Sequence, residues 1–303
     1  MSATNFHQLY IFYTVAGLQS FSKAAEALHI SQPAVSHQVS LLEQYYNQPL
    51  FDRLNRRIKL TPAGDIVLDY AQRIFALDEE MKRVLQDLGE VAFGRLILGA
   101  STTLGEYLLP GILSQFLERY PKVEVELSIS NTQQITKNVL QQTLDLGFVG
   151  GPITGEDLVI EPFVSDEIVI IVSPKHPLTG RHDISMEELR KERFIVREKG
   201  SATRITAEDW LKKLDVELTI KLELASNEAV KQAVMLGLGP GILSRLAIMR
   251  EEKSGQLSIL NISGFHCSRQ FSLIYRKDKR LISVEKAFLK MVQGMPQQII
   301  SDQ

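Results

Sequence analysis

The stretch FSKAAEALHISQPAVSHQVSLLE, residues 21–43, places two helical patterns only three residues apart. Ser22 is the predicted N-cap of the first helix, and Ser31 is the predicted N-cap of the second, with Pro33 tolerated in its first turn. A connection limited to residues 29–31 forces an angle between the two helices. This spacing predicts a helix-turn-helix, and an amphipathic helix around Leu9 and Phe12 precedes it.

The second helix of this pair has two different faces. One face is apolar and is expected to be buried; it carries Val35, Val39 and Leu42. The neighbouring face is neutral and rich in short hydrogen-bonding side chains; it carries Gln32, Ser36, His37 and Ser40. Base edges in the DNA major groove present donors and acceptors that such side chains can meet. A solvent-exposed polar face is the alternative when this helix is considered alone.

A basic hairpin is predicted directly after the helices. From Pro49 the hydrophobic pattern changes to period two, with Arg57 and Lys59 alternating against Ile58 and Leu60, and Asn55 is the expected tip. The whole chain has a net charge of −2, but residues 1–61 carry five basic against three acidic residues, which is +2. The local positive charge indicates a wing that neutralises DNA phosphates.

A long helix is predicted to start at the sequence TPAG, with Thr61 as its cap and Pro62 as its first residue. Apolar residues then recur every seventh position in two series. The first series is Val67, Ile74, Met81 and Leu88, and the second is Tyr70, Leu77 and Val84. The pattern favours a dimer helix, and packing of the same stripe against the neighbouring domain is the alternative.

Beyond Gly94 the sequence alternates between strand and helix patterns, which predicts an α/β domain with a mostly parallel sheet. The segment YLLPGILSQFLERY is predicted to be one of the helices. The number of strands is too large for one small sheet, so two lobes are expected. The predicted division is a DNA-binding domain at 1–61, a linker helix and hinge at 62–94, and an effector-binding domain at 95–303. Lobe I is expected at about 95–163 and 268–303, and lobe II at about 164–267.

The segments FSKAAEALHISQPAVSHQVSLLE, PLFDR and RIKLTPAG resemble the DNA-binding region of the LysR-type transcriptional regulators of bacteria. The resemblance continues over nearly the whole chain. It implies an all-α winged helix-turn-helix with a long dimerising linker helix. It also implies a two-lobed α/β domain like the periplasmic binding proteins, and assembly usually as a homotetramer. The implied function is transcription regulation, with activator as the expected role and promoter DNA, RNA polymerase and a small effector as partners.

By motif position, the resemblance assigns base-edge contacts to the start of the second helix and phosphate contacts to the wing. His37 departs from the arginine that is more frequent at its position. Taken together with the residue patterns, the expected DNA-contacting residues are Ser22, Gln32, Pro33, Ser36, His37, Ser40, Arg53, Arg56 and Arg57.

Four strand-to-helix junctions carry hydroxyl or amide side chains, and helix N-termini attract anions. The junctions are ASTTLG, SNTQQ, REKGSATR and ASNEA. Each could be a simple N-cap, but their recurrence together with three basic residues favours a small anion between the lobes. The expected effector-binding residues are Ser101, Thr102, Thr103, Thr132, Arg197, Ser201, Thr203, Arg204 and Asn227.

The segment REKGSATR also resembles the branch of this family that governs sulfur assimilation and autotrophic carbon fixation. This resemblance implies an oxyanion such as sulfite or sulfate, or a phosphorylated metabolite, as the effector. Both classes of ligand remain open at this point, as does the choice between homodimer and homotetramer.

Other functional classes fit the sequence less well. The chain lacks a G-x-S-x-G elbow and a complete G-x-G-x-x-G fingerprint, and its six histidines show no metal-ligand spacing, so neither an enzyme nor a metal or cofactor site is expected. A hydrolase is the least favoured alternative. A two-lobed solute-binding protein would leave the first 90 residues unexplained. The start of the chain is unlike a secretory signal and no apolar run is long enough for a membrane span, so we expect a cytoplasmic protein without membrane contact.

Overall fold

The computed structural model describes residues 4–52, 58–86 and 94–295. The chain divides into two units, residues 1–83 and 84–303. Each unit has its own hydrophobic core. The predicted division at residues 61/62 and 94/95 remains a prediction.

The N-terminal unit contains the predicted helix-turn-helix and wing. Its elements are α1 (Phe6–Leu18), α2 (Phe21–Leu28), α3 (Gln32–Tyr46), β1 (Phe51–Asp52), β2 (Lys59–Leu60) and most of α4 (Pro62–Gln86), whose last three residues fall in the second unit. β1 and β2 pair antiparallel, so the hairpin is confirmed for its two strands. The expected tip at Asn55 lies outside the described residues.

Helix caps explain where α2 and α3 begin. The Ser31 hydroxyl accepts a hydrogen bond from the backbone N–H of Ala34 at 3.3 Å, which confirms this predicted N-cap. The predicted cap at Ser22 is wrong, because α2 starts one residue before it and Ser20 accepts the N–H of Lys23 instead. Ser22 is therefore an exposed residue inside the first turn.

The core of this unit joins α1, α2, α3 and the wing. It contains Phe12, Val35, Val39, Leu42 and Phe51, all buried. A Glu43 carboxylate oxygen accepts the backbone N–H groups of Leu50 and Phe51, which fixes the base of the wing to α3. The start of α4 is held to the same region, since the Leu50 carbonyl approaches so closely that a side chain at Gly64 would overlap it.

The residues of the two predicted heptad series on α4 have different environments. Val67 and Ile74 are half-buried against the core of their own unit, as the alternative to a dimer seam expects, and the dimer interpretation remains a prediction. The spacing could not show this, because the apolar stripe is wider than the side of α4 that the core covers. Tyr70, Leu77 and Met81 remain exposed. Ile66 and Leu85 extend the exposed stripe along the same side of the helix.

The C-terminal unit is α/β. Its helices are α5 (Thr102–Tyr107), α6 (Leu109–Arg119), α7 (Thr132–Leu140), α8 (Met186–Arg190), α9 (Ala202–Lys212), α10 (Asn227–Met235), η1 (Arg245–Ala247, a 3-10 turn), α11 (Met249–Lys253) and α12 (Ser283–Gln293). Its strands are β3 (Gly94–Ser101), β4 (Val123–Ser130), β5 (Leu146–Gly150), β6 (Leu158–Val172), β7 (Arg193–Arg197), β8 (Thr219–Leu224), β9 (Gly241–Ser244), β10 (Ser258–Ile259) and β11 (Cys267–Arg276).

The strands form one continuous mixed sheet in the order β4-β3-β5-β11-β6-β9-β7-β8, with β10 beside β6. Parallel pairing occurs within each half, between β3 and β4 and between β7 and β8. The expectation of a mostly parallel sheet fails at the centre, where β6 and β11 are antiparallel along ten paired positions. These two strands carry the chain from one half of the unit to the other and back.

One predicted helix is interrupted. The pattern from Tyr107 to Tyr120 predicts a single helix, but α5 ends at Tyr107 and α6 begins at Leu109 with Pro110 in its first turn. A proline lacks the N–H that would continue the preceding turn. The buried side of α6 carries Leu109, Ile112 and Phe116, whereas Leu113 and Tyr120 are only partly buried.

Two lobes can be distinguished by their cores. In lobe I, α6, α12 and the β3–β5 strands pack around Phe116, Phe148 and Phe288. In lobe II, β7, β9 and α9 pack around Phe194 and Ile242. β6 and β11 contribute side chains to both cores. The exact boundary residues of the lobes remain a prediction because the crossing strands belong to both.

Candidate functional site

The first candidate site is the exposed face of α3. Gln32 and His37 are exposed and Ser36 and Ser40 are half-buried, while the opposite face of the helix is buried in the core. The Gln32 amide donates to the Ser36 hydroxyl at 3.4 Å, a long bond that leaves most of the polar capacity of both groups open. Pro33 and Ser22 are exposed as well.

The basic part of this candidate site is only partly described. Lys59 is exposed on β2, whereas Ile58 and Leu60 pack against the core, as the period-two pattern predicts. Arg53, Arg56 and Arg57 lie outside the described residues. Their contacts with phosphate therefore remain a prediction.

The second candidate site is a cleft in the C-terminal unit, at the carboxyl ends of β3, β4 and β7. Open α/β sheets bind ligands at such ends. Seven of the nine residues predicted for the effector surround one small cavity. The cavity is lined by Ser101, Thr102, Thr103, Asn131, Thr132, Arg197, Ser201, Ala202, Thr203 and Arg269.

The wall of the cleft combines helix starts from both lobes. Thr102 begins α5 and Thr132 begins α7 in lobe I, while Ala202 begins α9 in lobe II. The turn before α9 requires Gly200, whose φ of +88° suits glycine. The Ser101 and Ser201 hydroxyls cap neither α5 nor α9, so the simple N-cap alternative does not hold for these two junctions.

Arg197 is a buried cation at the edge of the cavity, with only 2% of its surface exposed. Its Nη2 donates to the Thr102 hydroxyl at 3.2 Å, a contact between the two lobes. The remaining bonds lie within lobe II, where Glu198, Asn227 and the Ala225 carbonyl accept from the same guanidinium. Arg197 is therefore held in one orientation by its own lobe.

Two predicted effector residues do not line the cavity. The Arg204 guanidinium binds Glu208 and Glu223 and donates to the backbone carbonyl of Arg197. Asn227 accepts from Arg197 and donates to Glu106 at 3.2 Å. Both residues therefore bind Arg197, Arg204 at its backbone carbonyl and Asn227 at its guanidinium, and neither lines the cavity.

The sequence reasoning missed Arg269, which lines the cavity from β11. Its Nε donates to Asp166 at 2.8 Å, its Nη1 to the Thr203 hydroxyl at 2.9 Å, and its Nη2 to the Thr103 hydroxyl at 3.4 Å. A usable signal existed in the strand pattern, because Arg269 occupies an inward position between the buried Cys267 and Phe271. Asn131 was also missed as a lining residue, and it caps α7.

Burial dominates the electrostatics of the Asp166–Arg269 pair. Burial raises the pKa of Asp166, and Arg269 and the Ser244 hydroxyl partly oppose that rise. Burial also lowers the pKa of Arg269, the Asp166 carboxylate opposes that fall, and the positive charge of Arg197 adds a smaller decrease. An arginine side chain stays protonated in proteins, so the cleft holds two buried guanidinium groups.

The chemistry of the cleft distinguishes it from larger cavities. The space within it is about 10 Å³, whereas cavities of about 710 Å³ beside α12 and about 450 Å³ beside α10 are larger. The cavity beside α10 also contains a buried cation, Lys231, which binds Glu228 and Glu251, whereas the cleft combines two buried guanidinium groups with hydroxyl side chains. In the described part of the chain, no cluster of three or more His, Cys, Asp or Glu side chains is arranged for a metal ion. No helix in those residues is long and apolar enough to cross a membrane.

Comparison with known families accounts for both units. The sequence model described as "Bacterial regulatory helix-turn-helix protein, lysR family" matches residues 6–65. The model described as "LysR substrate binding domain" matches residues 89–296. The two matches cover most of the chain.

Similar proteins extend over nearly the full length. The chain is 37% identical to the HTH-type transcriptional activator CmpR of Synechocystis sp. over 95% of both chains. It is 40% identical to a probable RuBisCO transcriptional regulator of Cyanidioschyzon merolae, over 87% of this chain and 89% of that one.

Solved structures agree with the architecture. The chain is similar to the regulatory domain of Synechocystis CcmR in complex with 2-PG, with 33% identity and a TM-score of 0.63. The match covers 69% of this chain and 98% of that one. Full-length CbnR with its target DNA has the same fold, with a TM-score of 0.71, 22% identity, and coverage of 96% of this chain and 99% of that one. The chain belongs to the LysR family of DNA-binding transcriptional regulators, and its C-terminal unit is the two-lobed effector-binding domain of that family.

Proposed function

We propose that this regulator is a cytoplasmic transcriptional activator whose effector is a small phosphorylated acid of the 2-phosphoglycolate type, bound in the cleft. The observation that carries the proposal is the convergence of seven predicted hydroxyl and guanidinium residues on one cavity. Relatives support the choice of ligand class, since one is a probable RuBisCO transcriptional regulator and the CcmR regulatory domain binds 2-PG. A free oxyanion such as sulfate is the competing ligand.

Binding requires the cleft to change. A space of about 10 Å³ has room for roughly one water molecule, which is far less than a phosphorylated two-carbon acid needs. Direct hydrogen bonds between the lobes, Arg197–Thr102 and Arg269–Thr103, close the site. A ligand that occupies the cleft must replace these bonds, so it favours a different arrangement of the lobes. Such differential affinity is what allows an effector to shift a conformational equilibrium.

Affinity measurements on the full chain test the cleft. Calorimetry should detect 2-phosphoglycolate, and Ser101→Ala or Thr203→Ala should each weaken binding roughly tenfold to a hundredfold, because one hydrogen bond to a charged group is worth about 1.5–3 kcal/mol. Ser263→Ala, an exposed hydroxyl in lobe II, is the matched control. Tighter binding of sulfate than of 2-phosphoglycolate would overturn the ligand class. Unchanged affinity in both cleft variants would overturn the location.

The polar face of α3 is proposed to read base edges, and the wing is proposed to contact phosphates. Gln32, Ser36 and His37 are open to a DNA ligand because the helix buries its other side. For the wing, Arg56→Ala should weaken the binding of specific and unspecific DNA alike. The slope of log affinity against log salt concentration should become shallower by about one for each phosphate that is no longer neutralised. If the DNA affinity of Arg56→Ala falls with salt as steeply as that of the parent, the proposed phosphate contact is wrong.

The exposed stripe on α4 is proposed to join two copies of the chain, with a homotetramer as the complete assembly and RNA polymerase as the further partner. Leu77 and Met81 are more than half exposed in the single chain. Leu77→Asp would place an unpaired charge in an apolar seam, so light scattering should show smaller particles and DNA binding should fall with them. Glu79→Lys, on the other side of α4, is the control. An intact oligomer for Leu77→Asp would contradict the seam.

The proposal excludes catalysis and a metal or organic cofactor. Among the described residues the cleft offers hydroxyls and guanidinium groups but no general base positioned beside a nucleophile. The effector is therefore expected to leave the protein chemically unchanged. Recovery of intact 2-phosphoglycolate after prolonged incubation, measured by ³¹P NMR, tests this expectation.

A further inference from the structure

Arg269 occupies the point where the two lobes meet. It lies on β11 directly opposite Asp166 on β6, and these are the two strands that cross between the lobes. Its side chain is almost fully buried and stacks on the Phe271 ring, with 4.6 Å between the guanidinium carbon and the ring centroid. Such a position fixes the plane of the guanidinium group.

The two sides of this guanidinium have different partners. The Nε side faces Asp166, which is itself held by the Ser244 hydroxyl at 2.7 Å. The Nη1 and Nη2 groups point to neutral acceptors, the hydroxyls of Thr203 in lobe II and Thr103 in lobe I. Both threonines line the cleft. An ionised acceptor makes a stronger hydrogen bond with a guanidinium than a hydroxyl does, so an anion in the cleft would displace them.

Arg197 has less capacity for a ligand. A guanidinium carries five N–H donors. At Arg197, Nε and Nη1 each donate once, to Glu198 and Asn227, and the two N–H groups of Nη2 are shared among Glu198, the Ala225 carbonyl and Thr102, so one N–H of Nη1 is left by these bonds. The bonds of Arg269 to described residues use one N–H for Asp166 and one for each threonine, which leaves one further N–H on each of Nη1 and Nη2. Arg269 is therefore the better anchor for a second anionic group.

This inference rests on the proposed function and adds the specificity of the same site. We propose that Arg269, oriented by Asp166, is the residue that selects effectors with a carboxylate. The phosphoryl group of such a ligand binds at the starts of α7 and α9, where backbone N–H groups favour phosphate. The ligand carboxylate binds the Nη1 and Nη2 edge of Arg269, whose planar fork matches a carboxylate in two parallel hydrogen bonds.

The test compares two ligands that differ only at the carboxylate. Calorimetry on the full chain would use 2-phosphoglycolate and 2-hydroxyethyl phosphate, in which a CH₂OH group replaces the carboxylate. The parent should prefer 2-phosphoglycolate roughly tenfold to a hundredfold, the range expected for a hydrogen-bonded charge pair. The double variant Asp166→Asn with Arg269→Gln should bring that preference to within about threefold and keep the affinity for 2-hydroxyethyl phosphate.

Two further variants control for structure. Arg269→Lys keeps the ion pair with Asp166 and loses the planar fork, so it should fold and show a preference reduced to a few-fold. Arg276→Gln removes another largely buried guanidinium of β11, which binds Asp278 and the Leu140 carbonyl and does not line the cavity, and it should keep the full preference of the parent.

The outcomes separate this inference from the proposed function. A preference that survives in both Arg269 variants would overturn the role of Arg269, while the cleft would still bind the phosphoryl group. Equal loss of both ligands in the double variant and in Arg269→Lys would make Arg269 a structural residue and overturn its role in selection. If the parent binds neither ligand, the proposed effector class fails and the selection by Arg269 fails with it.

Discussion

The proposed recognition surface of α3 and the proposed effector cleft differ in how their polar side chains are bonded. Gln32 and His37 are exposed and keep their hydrogen-bonding capacity for an external partner. Arg197 and Arg269 are buried and are already bonded to other residues of the protein. The first surface can therefore change its partner without a cost to the fold. The second can admit a ligand only by exchanging bonds that also stabilise the protein.

The largest expected effect is on the buried ion pair. Asp166→Ala leaves the Arg269 charge without its partner, and breaking such a pair costs about 3–5 kcal/mol of unfolding free energy. Denaturant unfolding of the C-terminal unit measures the change. The double variant Asp166→Ala with Arg269→Met should recover much of the loss. A loss smaller than about 1 kcal/mol for Asp166→Ala would mean that the cleft is as tolerant as the surface of α3.

A second buried charge makes the stability of the C-terminal unit depend on pH. Burial raises the pKa of Glu285 to about 7, and the nearby Lys279 partly opposes the rise while Asp145 adds to it. Between pH 4.5 and 7 the folded state keeps a proton that the unfolded state releases, so the unfolding free energy should fall as pH rises, by up to ~3 kcal/mol. Glu285→Gln should remove this slope in unfolding curves recorded from about pH 5 to about pH 8. If Glu285→Gln shows the same dependence of unfolding free energy on pH, other ionisable groups must cause that dependence.

On the exposed face of α3, Gln32→Ala should leave the stability of the protein almost unchanged. Discrimination at one base pair should fall by roughly 1–3 kcal/mol, while the unfolding free energy changes by less than about 0.5 kcal/mol. Competition binding with single-base operator variants measures the first, and thermal unfolding measures the second. A loss of stability comparable to that of Asp166→Ala would remove the contrast between the two surfaces.

The smallest effect distinguishes two neighbouring serines. Ser20→Ala removes the observed cap of α2 and should cost about 1 kcal/mol of stability. Ser22→Ala should cost little stability, because its side chain is exposed, and should weaken only DNA binding. Equal destabilisation by the two changes, seen as equal shifts in the melting temperature, would contradict the assignment of the cap.

Local signals predicted the N-terminal unit well. The cap at Ser31, the turn at residues 29–31 and the alternation of Ile58 with Lys59 depend on neighbours within a few positions of the chain. The misplaced cap at Ser22 was an error of two residues. The faces of α4 were harder to assign, since the apolar stripe is visible in the sequence but the part of it that the core covers is not.

The cleft was predictable only in part, for a related reason. Hydroxyl residues at strand-to-helix junctions are visible in the sequence, and seven predicted residues meet around one cavity. Arg269 was missed because its importance depends on the antiparallel pairing of β11 with β6, about a hundred residues earlier in the chain. The same pairing explains why the sheet is mixed. The order of strands that are distant in the sequence decides both the position of Arg269 beside Asp166 and the mixed character of the sheet. Periodicity within one strand does not show that order.

Operator binding by the full chain, measured with and without 2-phosphoglycolate, tests the link between the cleft and DNA most directly. The operator would be selected by the protein from random-sequence DNA, and affinity would be followed by fluorescence anisotropy. We expect the ligand to change operator affinity in the parent. Thr203→Ala should bind DNA equally well without ligand and need roughly tenfold to a hundredfold more ligand for the same response. Operator binding that ignores the ligand in the parent, or that is already lost in Thr203→Ala without ligand, would contradict an effector-controlled cleft.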